Sequence, residues 1–206
     1  MDPIAGDYIS AKGTGNIRTE FYNKGDVKMF GNYRINQGVY KFSLQEVIRK
    51  DFTIKDGSTI SFNGPPLDAT MDIQANYMVN SASLNDLVPN ASSYGIPTNI
   101  RVNCTMNLTG QLTSPDIKLG LEVPNERDEV QALIRNYIPT DEQMNMQILY
   151  LLGIGKFYTP ENVDATQNSN MMTSVLSSTL SGQLNNALSN TCLLYTSPSP
   201  RDYAAS

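Results

Sequence analysis

The sequence predicts a mainly β protein: an antiparallel sheet of six to eight short strands, followed by two or three helices. Three observations carry that reading. Two runs between Thr98 and Pro124 alternate apolar and polar residues almost without error, which gives an extended strand one apolar and one wetted face. Before them, runs rich in β-branched and aromatic residues succeed one another with turn residues at short spacing and no helical period between, a meander rather than a βαβ succession. Past Pro124 the period lengthens from two to about 3.6, the mark of amphipathic helix.

Taken in order, Gly6 to Asn16 read as a chain entered midway through a sheet, so the sequence is expected to be a fragment with more strands upstream. Short strands are expected over Ile17 to Tyr22, Asp26 to Ile35 and Val39 to Leu44, with Lys24-Gly25-Asp26 and Asn36-Gln37-Gly38 as turns. In the third, Tyr40, Phe42 and Leu44 share a face. Phe52 and Ile54 alternate with Thr53 and Lys55, Asp56-Gly57-Ser58 is expected to turn the chain, and Ile60 and Phe62 resume the alternation before Asn63-Gly64-Pro65-Pro66 breaks it. Met71, Ile73, Ala75, Tyr77 and Val79 then oppose Asp72, Gln74 and Asn76. Ser81 to Pro97 reads as a loop with a helical turn near Leu84 to Leu87, and loops of that length are commonly functional or mobile.

The hairpin of Thr98 to Pro124 sets Ile100, Val102, Cys104, Met106 and Leu108 on one face of its first arm and Ile117, Leu119, Leu121 and Val123 on one face of its second, with Gly110 and Ser114-Pro115-Asp116 supplying turn residues. In the first helix Val130, Leu133, Ile134 and Tyr137 form an apolar stripe that Pro139 ends. Thr140 and Gln143 form a capping box for the second, which carries Met144, Ile148, Leu151 and Leu152 inward and stops at Gly153 and Gly155. A third pattern, Asn170 to Leu188, has an apolar stripe and no charge. The expected organisation is a sheet over 1–124, a helical segment over 125–190 closing the same domain, and a non-native tail over 191–206, where CLLYTSPSPRD looks like translated sequencing adapter.

Composition narrows function. A net charge of −5 speaks against a nucleic-acid surface. The chain has no histidine, the commonest general base and metal ligand. Of its two cysteines, Cys104 sits on an apolar strand face and reads as a buried, inert thiol, and Cys192 falls in the tail. No window approaches the roughly 20 apolar residues of a membrane-spanning helix, and MDPIAGDYIS has neither the basic nor the apolar region of a secretory signal. Asp68 with Asp72, and Asp128 with Glu129, are carboxylate pairs of the kind that turns and first helical turns collect, so they read as solvated charge and not as catalysts. No phosphate-cradling loop, metal cluster or activated nucleophile is apparent, so neither enzyme activity nor a cofactor is expected.

GDVKMFGNYRINQGVYKFSL, then DFTIKDGSTISFNGPPLDATMDIQANY, LTGQLTSPDIKLGLEVP and DEQMNMQILYLLGIGKF, in that order, resemble the C-terminal domain of the TamB family, the AsmA-like translocation and assembly module subunits of bacteria with two membranes. The resemblance covers nearly all of Asn16 to Leu188. It departs at Pro65, which replaces an acidic residue usual after Gly64. It implies a curled antiparallel sheet, a half-pipe or β-taco, with an apolar concave face. It also implies a periplasmic location, an inner-membrane anchor far upstream, and an end near the outer membrane that meets a barrel-assembly protein of the TamA or BamA type. The implied activity is movement of phospholipid acyl chains between the membranes, in support of outer-membrane assembly.

From the residues alone an ordinary core is the better account of the apolar face, since antiparallel sheets pack one side on something. With the resemblance the same face becomes a candidate acyl-chain groove, walled by Tyr40, Phe42, Ile60, Phe62, Met71, Ile73, Tyr77, Val79, Ile100, Val102, Met106, Leu108, Ile117, Leu119, Leu121 and Val123. The alternative is an interaction module whose free edge strand pairs with a partner barrel.

Overall fold

Two interruptions in the apolar alternation, at 36–38 and 55–58, set the shape of the sheet. The computed structural model describes residues 8–159 apart from 23–24, 45–46 and 125. Its strands are Tyr8–Phe21 (β1), Val27–Leu44 (β2), Ile48–Ile54 (β3), Thr59–Gly64 (β4), Thr70–Ser83 (β5), Asn99–Gln111 (β6) and Ser114–Glu122 (β7), and its α-helices are Leu84–Leu87 (α1), Asp128–Tyr137 (α2) and Asp141–Ile154 (α3). All pairings are antiparallel in one seven-stranded sheet, ordered β1-β2-β3-β5-β6-β7, with β4 also between β2 and β5. The mainly β, antiparallel expectation is met.

Neither interruption is the turn the sequence suggested. β2 runs straight through Asn36-Gln37-Gly38, because Lys12 and Gly13 of β1 pair with Gln37 and Ile35, leaving Asn36 as an extra residue in a bulge. A one-residue bulge flips the phase of the pleat. Tyr33 and Ile35 therefore share a face with Tyr40, Phe42 and Leu44 although odd spacing separates the two sets.

At 55–58 the chain also keeps its direction. β3 pairs with Gly38 to Leu44 of β2 and β4 with Met29 to Arg34 of the same strand, so β3 and β4 are two collinear pieces of one broken strand. The four residues between them are stitched into the sheet: Ile35 N–H donates to the Ser58 carbonyl (2.7 Å), Gly57 N–H to Ile35 (2.9 Å) and Lys55 N–H to Gln74 (2.7 Å). Ser58 is buried, its hydroxyl accepting from Gln74 N–H (3.1 Å) and donating to the Lys55 carbonyl (2.9 Å), so the polar group is satisfied. Gly57 takes φ 94°, which glycine adopts without steric cost.

The sheet curls. Helix α3 touches β7 and β3 as well as the intervening β5 and β6. The helix thus lies against four adjacent strands of the curled sheet, which span about 14 Å at roughly 4.8 Å spacing. At the other side, Gly31 (φ 129°) lets β1 and β2 approach closely: a Cβ there would fall on the carbonyl oxygen of Asn16.

The hairpin of β6 and β7 forms in the expected register, with Met106 between Ala75 and Leu119 and Leu108 between Ile73 and Ile117. Its turn is the two-residue Leu112-Thr113, since Gly110 and Pro115 pair with each other inside the ladder. The segment after β5 holds α1 at the expected place and a 3₁₀ turn at Ala91–Tyr94, and it is packed: Leu84, Leu87, Val88 and Ala91 are buried in the core, and Leu84 N–H donates to the Thr98 carbonyl (2.8 Å).

In α2, Val130 and Ile134 are buried and Leu133 half-buried, but Tyr137 is exposed. Thr140 caps α3, accepting from Gln143 N–H (3.3 Å), with Asp141 and Glu142 in the first turn, and Gly155 closes it at φ 74°. The pattern at Asn170 to Leu188 and the tail from Thr191 lie outside the described residues.

Candidate functional site

The candidate site is the inner face of the sheet, on which α3 packs. It divides into two halves with different covers.

The first half is floored by β3, β5, β6, β7 and the C-terminal part of β2, and α3 fills it. Rings cross the floor from strand to strand: Phe42 on β2 meets Phe52 on β3 at 5.9 Å between centroids, and Phe52 meets Tyr77 on β5 at 5.8 Å. Above them every residue of α3 from Gln147 to Leu152 is buried, which includes all sides of the helix and not a single stripe. Gln147 is the one polar member of that run, and its amide is used twice. Its Nε2 donates to the Tyr158 carbonyl (3.2 Å) and its Oε1 accepts from Tyr158 N–H (2.8 Å), clamping the segment after Gly155 back onto the helix. Phe157 is fully buried beside the clamp, and Tyr158 lies edge-on to Tyr150 at 4.9 Å. The Tyr150 hydroxyl is buried with no hydrogen-bond partner among the described residues, and burial, then Tyr158, raises its pKa.

Cys104 lies in this floor between Tyr77 and Leu121, fully buried. Desolvation pushes its thiol up to about 12, which keeps it protonated and unreactive. The expected burial of the thiol is met.

The second half comprises β1, the N-terminal part of β2, and β4. The register carries one apolar face across them: Ile17 beside Gly31 beside Phe62, Tyr33 beside Ile60, and Phe21 beside Val27. Here Val27, Met29, Tyr33, Ile60 and Phe62 are only half-buried and Phe21 is 79 % exposed. α3 packs chiefly on the other strands.

The sixteen sequence-predicted groove residues all fall on or beside the inner face but part company by cover. Tyr40, Phe42, Met71, Ile73, Val79, Ile100, Val102, Met106, Leu108, Ile117 and Val123 are buried. Ile60, Phe62, Tyr77, Leu119 and Leu121 are half-buried. Sequence reading missed Ile17 on β1 and Val27, Met29 and Tyr33 on β2, the last three because a turn at 36–38 hid that they share a face with Tyr40 and Phe42. The signal was present: two alternating runs one residue out of phase around Asn-Gln-Gly are what a bulge leaves behind.

The outer face is polar and wet. Its ion pairs, Lys41 with Asp51 (3.9 Å), Arg34 with Asp56 (3.7 Å) and Arg18 with Glu20 (3.1 Å), are largely exposed and contribute little. Asp68 sits in the 3₁₀ turn Pro66–Asp68, Asp72 is exposed on β5, and Asp128 and Glu129 open α2. None faces the groove. Among the described residues there is no group of three or more potential metal ligands, and no helix long and apolar enough to cross a membrane.

A curled antiparallel sheet, not closed into a barrel and with a helix packed on its apolar face, defines a β protein of the taco class. No curated protein matches the chain. The model of the TamB C-terminal domain family matches residues 3–201, nearly the whole sequence, and the chain belongs to that family. Membership carries a cell-envelope setting and a TamB-related role in outer-membrane assembly, as part of a translocation and assembly module that works with outer-membrane assembly partners.

Proposed function

We propose that this chain is the terminal length of a periplasmic groove that conducts phospholipids between the inner and outer membranes. Acyl chains lie against the open half, Ile17, Val27, Met29, Tyr33, Ile60 and Phe62, while headgroups stay in water at the mouth. The observation that carries this reading is the division of one continuous apolar face into a half on which α3 packs and a half that the described residues cover only partly. Each methylene taken from water onto such a face contributes roughly 0.8 kcal/mol, so entry needs no cofactor. Within this account α3 occupies the groove where lipid would otherwise continue, and so ends it.

Mass spectrometry of lipids carried by the purified chain tests the proposal. Phospholipid should accompany the wild type and be lost from the Phe62→Asp variant, and a wild type purified free of lipid contradicts it.

A second reading rests on a separate observation. Among the described residues β7 ends the sheet at the side away from β1, and it offers nine residues of backbone on its outer side. Such an edge can add a strand from an outer-membrane barrel-assembly protein of the TamA or BamA type. Lysine or proline placed along β7 should abolish that association without removing bound lipid.

A further inference from the structure

Three turns meet at one end of the strands. The β1–β2 hairpin turns at Tyr22 to Asp26, the 3₁₀ turn Pro66–Asp68 links β4 to β5 and packs beside β2, and the β6–β7 turn is joined to it by Leu112 N–H donating to the Ala69 carbonyl (2.8 Å). This rim carries three of the molecule's large exposed apolar side chains: Phe21 at 79 %, Leu67 at 50 % and Tyr22 at 47 % exposure. They sit on turns, where side chains project beyond the sheet. Phe21 also belongs to the inner face, paired with Val27 and next in line to Met29, so the exposed rim is continuous with the open half of the groove.

Charge says what kind of surface the rim fits. Among the described residues near the three turns, Arg18 and Lys28 stand against Glu20, Asp26, Asp68 and Asp116. The two described cations are partly spent on rings, Arg18 over Phe30 and Lys28 over Tyr22, each at 5.0 Å. A rim whose described charges include more acid than base has no attraction to an anionic surface, while aromatic and leucine side chains on turns suit the boundary between headgroups and acyl chains.

We propose that this rim docks on a phospholipid bilayer, with Phe21, Tyr22 and Leu67 entering the interface of zwitterionic lipid, and that the open half of the groove exchanges lipid with the membrane there. The lipid-exchange clause rests on the groove reading; the docking itself does not.

The chain contains no tryptophan, so a single one placed at the rim reports alone. In the full chain, Phe21→Trp and Leu67→Trp should shift their emission to shorter wavelength on adding phosphatidylcholine vesicles and be quenched by vesicles with brominated acyl chains. In flotation, replacing Phe21, Tyr22 and Leu67 together with serine should lower vesicle binding by about tenfold or more, since each apolar side chain moved out of water contributes on the order of a kcal/mol or more. Tyr137→Ser, an equally exposed site on α2, should leave binding unchanged. Salt should have little effect.

Lipid content of the same preparations separates the two ideas. A triple variant that keeps its co-purified lipid yet no longer binds vesicles supports rim docking, as does a lipid-free wild type that still binds them through the rim, although the latter ends the groove reading. Tryptophans that stay in water, or a triple variant that floats like the wild type, overturn the proposal. Loss of self-association or of barrel-protein binding, with vesicle binding intact, overturns it too and assigns the rim to a protein partner.

Discussion

The two halves of the inner face are made from the same kinds of residue and differ in what lies on them. Phe52, under α3, is fully buried, whereas Phe62, on the collinear continuation of the same broken strand, is half-exposed. Alternation makes a strand apolar on one side; it does not say what covers that side. Cover comes from elements distant in sequence, here a helix whose residues Gln147 to Leu152 are all buried.

The comparison breaks most readily at those two rings. Phe52→Ala should cost about 3–5 kcal/mol, because the floor under α3 cannot collapse into the space, while Phe62→Ala should cost about 1 kcal/mol. Urea unfolding of the two variants measures the gap, and equal losses would mean that the halves are covered alike.

The backbone of the open half gives the next effect. Gly31→Ala adds a methyl against the Asn16 carbonyl at a positive φ, and should cost about 1–3 kcal/mol with no apolar contact removed. Gln147→Ala acts on the filled half through hydrogen bonds alone. It strands the half-buried N–H and carbonyl of Tyr158, at about 1 kcal/mol, and should speed amide exchange at Tyr158 before exchange rises in β6.

The last effect is alkaline. The Cys104 thiol, ordinarily 9.0, is held up to about 12 in the folded chain, so the unfolded chain releases its proton first. Stability should therefore be full below about pH 9 and fall as pH rises from there toward 12, by at most about 1.4 kcal/mol per pH unit for this group. Denaturation from pH 8 to 10.5 should show a shallower slope in Cys104→Ala. Tyr150 shifts in the same direction, so some slope persists.

Much of this was legible from residues. The hairpin of β6 and β7, the inward set on β5, the Thr140 cap and the Gly155 stop are local patterns, and they appear where the sequence puts them. Misreadings arose where one residue type serves two backbone geometries. Asn36-Gln37-Gly38 and Asp56-Gly57-Ser58 have turn chemistry, yet Asn36 is absorbed by a bulge and Gly57 by bonds to Ile35, outcomes that depend on a neighbouring strand. The single stripe assigned to α3 failed for a similar reason: Leu149 and Tyr150 are buried as well, Tyr150 against Tyr158 of the segment that Gln147 clamps back onto the helix. Composition could not divide the inner face, since Met106 and Phe62 are equally apolar.

Photo-crosslinking along the broken strand tests the central claim most directly. With benzoylphenylalanine at Phe62 or at Phe52 in the full chain and phospholipid present, lipid should be captured at Phe62, and at Phe52 the adducts should be with the chain itself. Equal lipid capture at both positions, or capture at Phe52 alone, would contradict a groove that is open over β1, β2 and β4 and ended by α3.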